Sequence, residues 1–76
     1  MPKRYRIRGL AYAEGFEGVA TIDDDGQLIV DSPIDGYNRR IEAETAMLMQ
    51  AQEIGVEEAL YIAVTRSSQH TMAPIE

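Results

Sequence analysis

The sequence predicts an α+β fold: a two-layer sandwich, with a three- to four-stranded antiparallel sheet and one helix packed on one face, in the order βββαβ. Three observations predict it. Arg39 to Ile54 has a helical period and stops at Gly55. VATI and QLIV flank Asp23-Asp24-Asp25-Gly26, and Asp-Gly between β-rich runs marks a hairpin. RYRI alternates polar and apolar, and LYIAV is a nearly continuous apolar run, the mark of a buried strand.

Residues 4 to 13 form the first expected strand. Tyr5 and Ile7 point one way, and Arg4, Arg6 and Arg8 the other. Gly9 marks a bulge or bend. Without one, Leu10 and Tyr12 continue on the arginine side. Residues 14 to 18, EGFEG, are expected as a loop, with Phe16 in the core. The hairpin follows. Its three aspartates resemble part of a calcium loop, but Thr21 and Ser32 would then hold the first and last ligand positions, where carboxylates belong. No metal or cofactor is expected.

Residues 31 to 38, DSPIDGYN, lead into the helix, with Asp35 or Asn38 as cap and Tyr37 packing back on the first turn. On the wheel Ala43, Met47, Leu48, Ala51 and Ile54 share the apolar side, with Ile41 at its edge. Glu42, Thr45, Gln50, Gln52, Glu53 and Met49 lie on the polar side. Gly55 suits the left-handed position that ends a helix. Leu60 to Thr65 is the expected last strand. A single domain over residues 1–66 is followed by a loose tail, 67–76, which holds His70, the only histidine.

Composition narrows the function. Seven basic against thirteen acidic residues give a formal net charge of −6. From Glu14 to Glu58 only Arg39 and Arg40 oppose the acids. Such a balance disfavours direct binding to a nucleic-acid backbone and suits either solubility or a basic protein partner. The row Arg4, Arg6, Arg8 is the exception, readable as a nucleic-acid strip or as a solvated strand face. There is no cysteine, hence no disulfide or thiolate site. No run nears the roughly 18 apolar residues that cross a bilayer, and no apolar segment follows the basic start as in a secretion signal, so the expectation is a soluble cytoplasmic protein. No Ser-His-Asp set and no cleft able to tune two carboxylates is expected, so the sequence reads as non-enzymatic. One helix on one sheet face leaves little core, and a homodimer or an obligate partner would help.

The hairpin GFEGVATIDDDGQLIV, the helix AETAMLMQAQEIG and the run ALYIAV, within Gly15 to Arg66, resemble small phage-encoded anti-CRISPR proteins that inhibit type I Cascade complexes. The resemblance is one of size, order and texture. It implies a stoichiometric inhibitor in the bacterial host cytoplasm that docks on a Cas subunit and blocks DNA binding or nuclease recruitment. The residues expected to pair with the partner's basic groups are Asp23, Asp24, Asp25 and Asp31, then Glu53, Glu57 and Glu58. Two alternatives stay open. One is an antitoxin that masks a toxin, although the glycine/proline signature of the best-known such family is missing. The other is a nucleic-acid binder using Arg4, Arg6 and Arg8.

Overall fold

A computed structural model describes residues 1–11 and 14–75. Along the chain run β1 (Lys3–Ala11), β2 (Glu14–Ile22), β3 (Leu28–Asp31), α1 (Asp35–Gln52), α2 (Val56–Thr65) and β4 (Thr71–Pro74). The four strands form one antiparallel sheet in the order β3-β2-β1-β4. The expected α+β sandwich is present, with a helical layer of two helices rather than one.

β1 alternates as its sequence requires. Ile7 is fully buried, and Arg4, Arg6 and Arg8 are exposed. There is no bulge at Gly9, which pairs regularly with Phe16. Leu10 therefore stays on the arginine side, 46% exposed; Tyr12 lies outside the described residues. Gly9 is small for another reason. The His70 ring lies against it, and a Cβ there would stand 2.4 Å from His70 Cδ2.

EGFEG is not a loop but the first half of β2. Its glycines obscured a regular alternation in which Phe16 faces the helices and Glu17 faces away. Gly18 serves close approach: a Cβ there would sit 2.8 Å from Ser32 Cβ. The expected hairpin turn joins β2 to β3. The outer edge of β3 is covered, since the Val30 N–H donates to Glu42 Oε2 at 2.8 Å. That bond occupies an edge donor that would otherwise invite another strand.

α1 begins at Asp35, four residues before the expected start. Neither Asp35 nor Asn38 caps it; Ile34 holds the cap position with no side-chain hydrogen bond. Asn38 instead ties the entry loop, with its Nδ2 donating to the Ser32 carbonyl at 3.1 Å and its Oδ1 accepting from Ser32 Oγ at 2.5 Å. The earlier start brings Tyr37 onto the helix and turns its buried face. Tyr37, Ile41, Thr45 and Leu48 are buried, while Ala43, Met47 and Ala51 are exposed. Bulk decides this rotation, because a tyrosine and an isoleucine remove far more apolar area from water than two alanines. Thr45, expected outside, is 1% exposed. Met49, also expected outside, packs against the core.

Glu53, not Gly55, takes the left-handed position after α1, with φ 53°. Gly55 is extended and opens α2. The segment expected as the last strand is therefore a helix. It buries Ala59, Leu60, Ala63 and Val64, a spacing of one and four that a helix makes and a strand does not. Glu57 and Glu58 in its first turn suit the positive end of the helix dipole. The segment expected as a tail supplies β4, which pairs with β1 from Tyr5↔Pro74 to Arg8↔Thr71. The core lies between sheet and helices, around Ile7, Ala20, Ile41, Leu60 and Val64. The other sheet face is open.

Candidate functional site: the acidic end of the sheet

The β2–β3 turn is shaped by two residues. Asp23 Oδ1 accepts from the Asp25 and Gln27 N–H groups, both at 2.9 Å. Gly26 sits at φ 81°, where a side chain would be strained. Asp23 is thereby engaged in forming the turn, and Asp24 and Asp25 are exposed at its tip. The terminal amine of Met1 lies 2.7 Å from Asp24.

The first turn of α2 reaches the same end. Glu57 accepts from Lys3 Nζ at 2.5 Å and from the Tyr5 hydroxyl at 2.6 Å. These bonds, the lysine's first, hold its carboxyl below the ordinary value of 4.5. The same bond to Glu57 raises the Tyr5 hydroxyl. Asp23, Asp24 and Glu57 line one shallow hollow with Lys3, Ile22 and Gly26. Val56 lines a neighbouring hollow with Gly26 and Gln27, which places the α1–α2 corner here too. Glu53 and Glu58, on either side of that corner, are exposed and make no ion pair among the described residues.

Six of the seven candidate acids thus share one end of the molecule. Asp31 does not. It lies on the open sheet face opposite Val19, in a hollow that Arg6 also lines. Nor are the six equivalent: Asp23 and Glu57 are held by the hydrogen bonds just described, Asp24 pairs with the Met1 amine, and Asp25, Glu53 and Glu58 are exposed and make no ion pair among the described residues. The arginine row is partly neutralised. Glu17 receives Arg8 Nε at 2.7 Å and stands 3.7 Å from Arg6 Nε. The bond from Arg8 is the main cause of its lowered pKa. Arg4 alone of the three has no carboxylate partner among the described residues.

The opposite end carries rings that local sequence patterns do not predict. Phe16, Tyr37 and His70 meet edge to face, with centroids 5.1 to 5.6 Å apart. His70 Nε2 is 3.3 Å from the Leu10 carbonyl. A carbonyl only accepts, so a hydrogen bond here requires the tautomer with its proton on Nε2. The Arg40 guanidinium stands 5.4 Å from the Tyr37 centroid. Burial raises the Tyr37 hydroxyl, which has no hydrogen-bond partner among the described residues. The sequence signal for this cluster is a lone histidine in a supposed tail and a glycine inside a strand, informative only once β4 is laid beside β1.

Among the described residues, no group of three or more His, Cys, Asp or Glu is arranged to hold a metal ion. No helix is long and apolar enough to cross a membrane. The chain matches no family model, no curated protein and no solved structure.

Proposed function

We propose that this protein is a non-catalytic inhibitor that presents its acidic end to a basic protein surface in the bacterial cytoplasm. The observation that carries this reading is the gathering of Asp24, Asp25, Glu53 and Glu58 at one end, while Asp23 and Glu57 hold the frame beneath them. A compact field of one sign speeds encounter with an opposite surface and selects against like-charged ones. Surfaces that bind DNA are basic. The resemblance to anti-CRISPR proteins supports a Cas subunit of a type I complex as the partner. The nucleic-acid reading of Arg4, Arg6 and Arg8 is the weaker one, because Glu17 occupies two of the three arginines. The test mixes purified type I complex with labelled target DNA. Adding the protein in slight molar excess abolishes DNA binding, rising salt relieves the inhibition, and the protein alone does not retard DNA. A complex that still binds its target at saturating protein refutes the reading.

A further inference from the structure

The ring end holds a hollow of about 390 Å³, between the start of α1, the end of β1, the start of β2 and the turn before β4. Leu10, Phe16 and Ile34 wall it with apolar surface, and the rings of Tyr37 and His70 complete the wall. Arg40 is the one charged side chain that lines it among the described residues. We propose that this hollow binds a small aromatic carboxylate, with the ligand's ring among the three protein rings and its carboxylate on Arg40.

The lining sets the body of the ligand. Small-molecule sites have volumes of about 300–1,000 Å³ and apolar walls with few polar groups, and this hollow has both features. Phe16, Tyr37 and His70 already meet edge to face, so an aromatic guest extends a packing that rings favour beyond the area they hide. The larger hollow on the open sheet face is no rival. Glu17 and Asp31 line it beside Arg6, and Glu17 already engages that arginine and Arg8.

Two further observations set the charge of the ligand. The first is the state of Arg40. Its guanidinium lies over the Tyr37 ring, 5.4 Å from the centroid. Stacking uses the flat face of the group and leaves its N–H edge for an acceptor. The nearest carboxylate, Glu44, is 4.0 Å away, beyond hydrogen-bond distance, and stands as close to Arg66, at 3.9 Å. Arg39, by contrast, is engaged by Asp35.

The second is the open start of α1. Ile34 caps it with no side-chain hydrogen bond. The first helical bond runs from the Asn38 N–H to the Ile34 carbonyl at 3.1 Å, so the Gly36 and Tyr37 N–H groups before it have no acceptor within the helix. Gly36 lines the hollow, and a Cβ there would meet nothing within 4 Å. Two arginines at this end also oppose the helix dipole, a cost that a bound anion offsets. A carboxylate seated here accepts from Arg40 in a charge-assisted bond and lies at the positive end of α1.

This inference does not rest on the proposed inhibition, because Asp24 and Asp25 sit at the other end of the sheet. The test is titration of the protein with naphthylacetate, followed by amide NMR. Shifts are confined to Leu10, Phe16, Gly36, Tyr37, Arg40 and His70, with a Kd of about 1 mM or tighter. Naphthylacetamide, which keeps the shape and lacks the charge, binds about tenfold more weakly, the worth of one charge-assisted hydrogen bond. Arg40→Gln weakens naphthylacetate by a similar factor. Arg39→Gln removes the same charge beside the hollow and leaves binding nearly unchanged. Both arginines are exposed, and the spectra without ligand show that the variants are folded. No shifts at millimolar probe, shifts scattered over the surface, equal binding of acid and amide by the wild type, or equal losses in the two arginine variants overturns the inference.

Discussion

The two ends of the sheet are built on opposite principles. At one, Phe16, Tyr37 and His70 pack edge to face beside Gly9, with Tyr37 buried and the other two half-buried. Each such ring pair adds about 0.5–1.5 kcal/mol beyond the area it hides. At the other, exposed polar bonds hold the chain: the Asp23 turn and the Lys3–Glu57–Tyr5 tie. Exposed polar pairs each contribute little, roughly 0–1 kcal/mol. The difference teaches where a small domain keeps its stability and where it can keep charge. The ring end tolerates little change, and the acidic end can carry Asp24, Asp25, Glu53 and Glu58 because exposed carboxylates contribute little to folding.

Substitutions at the two ends sharpen this contrast. The largest effect belongs to the ring end. Tyr37→Ala removes a side chain that is 7% exposed and should cost about 3–5 kcal/mol in chemical denaturation, as for other buried aromatics. Tyr37→Phe should go the other way, gaining about 1 kcal/mol, because it deletes a buried hydroxyl that has no partner among the described residues. Gly9→Ala places a Cβ against the His70 ring and should cost about 1–3 kcal/mol by overpacking. Asp23→Ala leaves two turn N–H groups without their acceptor and should cost about 1 kcal/mol. Asp24→Asn and Asp25→Asn should each stay within about 0.5 kcal/mol, as exposed substitutions do. If Asp24 proves as costly as Tyr37, the division between the ends is wrong.

The smallest effect concerns pH. The folded pKa of Glu57 is lowered, so its contribution is complete above the ordinary value of 4.5 and fades as pH falls through the lower folded value. Glu57→Gln should remove that small contribution near neutral pH and flatten this part of the stability profile, so that variant and wild type converge in acid-unfolding experiments.

Legibility in the sequence followed the range of the interaction. The β2–β3 hairpin is set by adjacent residues, Asp23 and Gly26, and was readable. α1 was readable as a helix, but its face was not, because the orientation depends on Tyr37, which the expected start excluded. The run LYIAV has the length and apolarity of a strand. Only the burial of Ala59, Leu60, Ala63 and Val64, set by tertiary packing, identifies it as helical. β4 was hidden for a similar reason. Its pairing joins Arg8 to Thr71 across most of the chain, and TMAP carries no signal of its own. The candidate site was half legible. The aspartate turn and Glu58 announce themselves as charge, but that Asp23 and Glu57 are supports, and that Asp31 lies on another face, needs the hydrogen bonds and the register.

The most direct measurement pairs stability with binding in one variant, Asp24→Lys, Asp25→Lys and Glu58→Lys together, leaving Asp23 and Glu57 untouched. The variant should melt close to the wild-type temperature and lose its ability to displace DNA from the purified type I complex. Inhibition at wild-type strength by the folded variant would contradict the account.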